Sequence, residues 1–196
     1  MIQKIRNPEV DILRGIAAVL MILGHSFIVY PINISQIPWC AAISHFIYTF
    51  HMELFFILSG YVYHCISYRS FMKKKIERIM IPYFLFGTGA LLLRTFGGAA
   101  VNHNISFYDG IMKLLFQGGG YWFLYVSFFI FLIYPLLDRY IKNVKQEIVV
   151  MLAFLCIDQF FTITNFFALD TVIHYIPYFI FGHCLKIIGG VKGQEI

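Results

Sequence analysis

Residues 11–25 read Asp11-Ile-Leu-Arg-Gly-Ile-Ala-Ala-Val-Leu-Met-Ile-Leu-Gly-His25, an apolar run that, with its neighbours, is long enough to cross a bilayer. Arg14 and His25 are eleven residues apart in this run. Eleven residues make almost three helical turns, so both side chains lie on one helix face, about 16 Å apart along the axis. An arginine inside a membrane helix costs roughly 2.5–3.5 kcal/mol on insertion scales and usually marks a functional site. The stretch therefore predicts a membrane helix whose polar face is turned toward protein.

The composition of the chain is that of an integral membrane protein. Hydrophobic residues make up 60% of its 196 residues and charged residues 13%, whereas soluble domains carry about 25% charged residues. The mean hydropathy is +0.76. In such a chain the formal net charge of +5 does not indicate nucleic-acid binding. We expect the lipid bilayer as a partner and no nucleic acid.

We predict an all-α, polytopic transmembrane helix bundle of about six membrane helices, because apolar windows of about 20 residues match a hydrocarbon core about 30 Å thick. The windows lie at roughly 10–30, 43–66, 79–97, 120–138, 147–166 and 172–189. A short interfacial helix is expected at 109–116, preceded by Ser106 with the spacing of a capping box. Pro82 is expected just inside the start of the third helix, where proline is tolerated, and Pro177 is expected to kink the sixth.

The loop cations predict one orientation in the membrane. Apart from Lys113, they all fall on one side: before the first helix, from Tyr68 to Arg78, from Arg139 to Lys145, and after the last helix. The positive-inside rule then places both termini in the cytoplasm. The basic loop at 68–78 has two interpretations, contact with anionic lipid headgroups or a cytoplasmic mouth for a phosphate-rich co-substrate, with Lys75 and Arg78 one turn apart.

His25 is the candidate general base. It lies too deep in its helix to reach water from the cytoplasmic end, and a neutral imidazole can accept a proton from a hydroxyl. Asp11 is one turn from Arg14 and can pair with it, which lowers the cost of burying the guanidinium. The alternative is an arginine that reaches the cytoplasmic boundary and a histidine satisfied in the core. Periodicity alone does not separate these two interpretations.

The second predicted helix supplies further candidates for a pocket. His51 lies at a depth similar to that of His25, so the two can converge on one pocket. Glu53 points away from His51, because residues two apart are about 200° apart around a helix. Ser59 and Gly60 are more typical of close helix packing than of chemistry. The cysteines form no CxxC pair, so we predict no metal site.

Several motifs follow one another in a recognisable order. They are Asp11-Ile-Leu-Arg14-Gly15 with Gly24-His25-Ser26, Phe50-His51-Met52 with Leu54-Phe55-Phe56-Ile57-Leu58-Ser59-Gly60-Tyr61, Arg78-Ile-Met-Ile-Pro82-Tyr83, Trp122-Phe123-Leu124 with Tyr134-Pro135-Leu136, and Tyr178-Phe179-Ile-Phe181-Gly182. In this order the chain resembles the acyltransferase-3 family of bacterial membrane O-acyltransferases, and especially its fucose 4-O-acetylase-like branch. The resemblance covers nearly the whole chain.

The resemblance implies transfer of an acyl group, usually acetyl, from cytoplasmic acyl-CoA to a hydroxyl of a cell-surface carbohydrate or its precursor, in the bacterial inner membrane. Arg14 and His25 match the essential Arg–His pair of the family. Lys75 and Arg78 partly match its basic pair for acyl-CoA. The expected co-substrate is acyl-CoA, with no bound cofactor. The remaining pocket candidates are Asp11, His51, Glu53, Ser59 and Trp122.

The resemblance also has departures. Glu53 departs from the family's pattern, and the chain has fewer membrane helices than its members. We therefore expect residues 1–196 to form a single membrane-embedded acyltransferase-like domain, incomplete relative to the family, with a second membrane chain as a candidate partner. Two other functions stay open. One is a non-catalytic remnant or partner subunit of an acyltransferase; the other is a haem-binding bundle with ligands among His25, His51, His174 and His183.

Overall fold

The computed structural model describes residues 8–27, 34–97, 106–162, 164 and 166–190, and this part of the chain is helical without any strand. The α-helices are α1 Pro8–Ser26, α2 Pro38–Tyr48, α3 His51–Tyr61, α4 Tyr68–Lys75, α5 Ile81–Phe96, α6 Phe107–Phe116, α7 Trp122–Asp138, α8 Val144–Phe160 and α9 Leu169–Ile188. Short 3₁₀ turns precede α2, α7 and α9. The predicted all-α class is confirmed.

Four segments of the described chain are long and apolar enough to cross a membrane. They are Pro38–Tyr61, Tyr68–Phe96, Phe107–Asp138 and Phe166–Ile188. The first and fifth predicted membrane helices correspond to α1 and α8, which have 19 and 17 residues. Both are outside that set of four, α1 because it carries three charged residues, Glu9, Asp11 and Arg14, and α8 because it is short.

The basic stretch that was predicted as a loop is helical. Tyr68–Lys75 forms α4 and continues through a π-helical turn at Ile76–Met80 into α5. The loop prediction was wrong because lysine and arginine are good helix formers and no glycine or proline interrupts the chain before Pro82. Pro82 therefore lies inside a continuous helical segment. Its ring would clash with the Arg78 carbonyl in an α-helix, and the wider π turn relieves that clash.

The chain folds as two compact units. Met1–Tyr63 and Tyr178–Ile196 form unit one, and His64–Pro177 forms unit two. In unit one, α1 packs on α2 and α3. Its buried residues Val10, Ala17 and Gly24 are seven residues apart, so they form one stripe along the helix.

Two glycines bring α3 close to the C-terminal part of α9 within unit one. A Cβ atom on Gly60 would overlap the carbonyl oxygen of Phe179, and a Cβ atom on Gly182 would overlap that of Ile57. Only a residue without a side chain fits at either position. This contact supports close helix packing as the role of Gly60.

In unit two, α6 is joined firmly to its neighbours. The Tyr83 hydroxyl of α5 donates to the Leu114 carbonyl, and the Tyr125 hydroxyl of α7 donates to the Leu115 carbonyl at 2.7 Å. These carbonyls belong to the last turn of α6, where no intrahelical donor is present. The predicted helix at 109–116 is thus present, although Ser106 at its N-cap makes no side-chain capping bond.

Candidate active site

Helix α1 carries both members of the predicted catalytic pair. It is continuous from Pro8 to Ser26, so Arg14 and His25 differ by only about 20° around its axis. Arg14 is half-buried and His25 is exposed. Asp11 is exposed, and within the described residues it forms no ion pair with Arg14. The guanidinium is therefore not neutralised by the carboxylate one turn away.

His25 is joined to α2 by a tyrosine. The Tyr48 hydroxyl lies 3.1 Å from Nδ1 of His25. The two rings meet edge to face, with centroids 5.8 Å apart and an interplanar angle of 87°. Tyr48 is in the last turn of α2, and it is the residue of α2 whose side chain bonds to the predicted base.

His51 contacts the same tyrosine. It is 2% exposed, and its Nδ1–H donates to the Ile47 carbonyl at 2.9 Å. Its ring lies edge to face with Tyr48, at a centroid distance of 5.1 Å. The structure thus brings the two predicted histidines, His25 and His51, together around a tyrosine that sequence reasoning did not name. Tyr48 had no signal in the sequence, because its contact with His25 joins two different helices.

The other two pocket candidates of unit one lie on α3. Glu53 and Ser59 are both half-buried. The Oε2 atom of Glu53 is buried and finds no hydrogen-bond partner in the described part of the chain. A buried carboxylate oxygen without a donor is costly, so a ligand that donates a hydrogen bond would stabilise this position.

The two residues of the basic pair, Lys75 and Arg78, have different surroundings in unit two. Lys75 is half-buried, with Nζ 3.4 Å from the ring centre of Phe131 and 5.0 Å from that of Phe71. Arg78 is exposed in the π-helical turn. The lysine charge is thus satisfied in part by aromatic faces, whereas the arginine is open to an anion.

Trp122, the remaining candidate, lies in an aromatic and ionisable cluster of unit two. Its ring stacks on Tyr175, with centroids 5.4 Å apart and planes at 27°. The neighbouring His174 bonds through Nδ1 to Asp158 at 2.9 Å. Sequence reasoning missed this pair, because its members lie on α8 and α9 and no spacing rule connects residues of different helices.

The model of the acyltransferase-3 family, which describes an acyltransferase domain, matches residues 7–190. No curated protein and no solved structure matches the chain. The family match covers every element described above, including Arg14 and His25. The chain therefore belongs to the acyltransferase-3 family of membrane acyltransferases.

Proposed function

We propose that the protein transfers an acyl group, normally acetyl, from acyl-CoA to a hydroxyl of a cell-surface carbohydrate or its precursor. It would act in the inner membrane of a bacterium, within the fucose 4-O-acetylase-like branch, with both termini in the cytoplasm. The observation that carries this proposal is the pair Arg14 and His25 on one face of α1, in a chain that matches the family over residues 7–190.

His25 acts as the general base in this mechanism. Its unprotonated nitrogen accepts the proton of the acceptor hydroxyl, while the hydroxyl oxygen attacks the thioester carbonyl carbon. The carbon–sulfur bond then breaks. CoA leaves as a thiolate, which takes up the proton held by His25. One ester and one free thiol form for each thioester consumed.

The distance along α1 favours donor binding as the role of Arg14. The guanidinium and the imidazole originate about 16 Å apart along the axis, because they are separated by eleven residues of continuous helix. Arg14 is too far from the reacting carbonyl at His25 to stabilise its oxyanion. The pantetheine arm of CoA is a long chain between its phosphates and its sulfur, so an arginine at this distance can hold the donor.

Arg78 and Lys75 are the proposed additional contacts for the phosphates of CoA. Arg78 is the stronger candidate because its exposed guanidinium can form two parallel hydrogen bonds with a phosphate. Lys75 contributes positive charge from its position against Phe131. On the acceptor side, the buried Oε2 of Glu53 can accept a hydrogen bond from a sugar hydroxyl.

The proposal is tested with the protein in proteoliposomes, acetyl-CoA labelled in its acetyl group, and a panel of oligosaccharides that includes fucosylated ones. We expect label in one class of carbohydrate and an equal amount of free CoA thiol. Release of thiol without labelled carbohydrate, or no release with any sugar in the panel, would contradict the proposal. Propionyl- and succinyl-CoA, used in the same way, identify the acyl group.

A further inference from the structure

We propose that Tyr48 is a positioning residue for His25, which it holds in the tautomer that a general base requires. This inference rests on the proposed function, in which His25 accepts the proton of the acceptor. The Tyr48 oxygen lies 3.1 Å from Nδ1 of His25. With Nδ1 occupied in this way, Nε2 is the ring nitrogen that meets the substrate.

The direction of this hydrogen bond determines the chemistry. If Nδ1–H donates to the tyrosine oxygen, Nε2 carries a lone pair and can accept a proton. If the tyrosine hydroxyl donates to Nδ1, Nε2 carries the hydrogen and His25 is not a base at that atom. Catalysis by His25 requires the first arrangement. A neutral imidazole in water favours hydrogen on Nε2, so the Nδ1–H form needs an acceptor such as the Tyr48 oxygen.

His51 fixes the tyrosine from a second helix. It is buried, and a carbonyl can only accept, so the 2.9 Å contact with Ile47 requires hydrogen on Nδ1 of His51. The His51 ring then rests edge to face on Tyr48, at 5.1 Å and 78°. Because α2 ends at Tyr48 and α3 begins at His51, these two rings meet across the break at Thr49–Phe50.

Gly24 allows α1 to approach the end of α2 closely at Ile47, the residue before Tyr48. A Cβ atom at Gly24 would lie 3.2 Å from Cγ2 of Ile47 and 3.6 Å from Cε2 of Tyr48. Both atoms belong to the last two residues of α2, next to the Tyr48 hydroxyl that contacts His25. The helix packing therefore holds the His25 backbone next to the tyrosine ring, and the hydrogen bond follows from that packing.

Tyr48→Phe is the discriminating variant, because it keeps the ring and its edge contacts and removes only the oxygen. We expect kcat to fall roughly 10- to 100-fold, a part of what a general base contributes, while KM for acetyl-CoA changes less than about twofold. Tyr108→Phe is the matched control, since Tyr108 is an exposed tyrosine of α6. If Tyr48 only packs against its neighbours, Tyr48→Phe keeps the wild-type kcat, and that result would contradict the proposal.

A second readout does not depend on activity. In protein labelled with ¹⁵N-histidine in lipid bilayers, the nitrogen shifts report the tautomer of His25, whose signals are assigned by their loss in His25→Gln. We expect Nδ1–H in the wild type and a shift toward Nε2–H in Tyr48→Phe. Nε2–H in the wild type, or an unchanged tautomer and kcat in Tyr48→Phe, would overturn the proposal. If the wild type transfers no acyl group, the proposed function fails. The tautomer of His25 in the wild type and in Tyr48→Phe then still shows whether Tyr48 controls that tautomer.

Discussion

The ammonium nitrogen of Lys75 lies 3.4 Å from the ring centre of Phe131, so this cation is held against α7 by an aromatic face. The contact joins α4 to α7 within unit two. Lys75 is also the first of the two proposed phosphate contacts, and Arg78 is the second. The contact with Phe131 gives the two members of the basic pair different surroundings. Lys75 contacts aromatic rings, which stabilises the packing of α4 on α7, and Arg78 is exposed.

Lys75→Ala should reduce stability. Loss of a cation–π contact at a half-buried position lowers the free energy of unfolding by about 1–2 kcal/mol. Lys73→Ala is the control, because Lys73 is an exposed lysine of the same helix. Thermal unfolding in detergent, followed by tryptophan fluorescence, compares the two. Equal midpoints for both variants would show that the ring contact contributes nothing.

Arg78→Ala should weaken the binding of CoA. Loss of a charge-assisted hydrogen bond to phosphate raises Kd by roughly tenfold or more. Arg69→Ala, which removes another exposed arginine of the same basic segment, should change Kd by less than about threefold. Isothermal titration of the detergent-solubilised protein with CoA measures both constants. If Arg69→Ala raises Kd more than Arg78→Ala does, the assignment of the phosphate contact to Arg78 is wrong.

Gly60→Ala should separate α3 from α9. The new methyl group would overlap the Phe179 carbonyl, and the backbone shift that relieves this overlap costs on the order of 1–3 kcal/mol. Gly89→Ala is the control, because a Cβ atom there meets nothing within 4 Å and alanine favours the helix. Thermal unfolding should show a lower midpoint for the first variant and an equal or higher midpoint for the second. A Gly60→Ala protein as stable as the wild type would exclude the close approach of these helices.

Gly24→Ala should impair catalysis through the tyrosine. The added methyl group would lie 3.2 Å from Cγ2 of Ile47, so the end of α2 must shift by a few tenths of an ångström, and the Tyr48 hydroxyl shifts with it relative to His25. We expect kcat to fall at least fivefold, about 1 kcal/mol in barrier height. Gly15→Ala, on the same helix but in open space, should keep the wild-type rate. The rates are measured as acetyl transfer from acetyl-CoA. Equal rates for the two variants would show that the contact at Gly24 does not affect catalysis.

Much of the fold was predictable because hydropathy and helical periodicity are local. They located the segments around α5, α7 and α9, and they placed Arg14 and His25 on one face of a helix. The helical basic stretch was missed because charge was taken to indicate a loop, although lysine and arginine favour helices. Pro82 is nonetheless the second residue of α5, as predicted, although a π-helical turn joins that helix to α4.

The partners of the candidate site depend on tertiary packing and were not predictable. A continuous helix from 43 to 66 would also put Tyr48 and His51 three residues apart on one face. What it does not indicate is the contact of Tyr48 with His25, because that contact joins α2 to α1. Likewise, Asp158 of α8 bonds to His174 of α9, and helical periodicity describes only one helix at a time.

The most direct test of the account is acetyl transfer by His25→Gln. Glutamine has nearly the size of histidine and can still bond to Tyr48, but it cannot accept a proton, so we expect the rate to fall by roughly 100-fold or more. His45→Gln, at an exposed histidine of α2, should keep the wild-type rate, and both variants should bind CoA normally. A His25→Gln protein that transfers acetyl groups as fast as His45→Gln would contradict the role of His25 as the base.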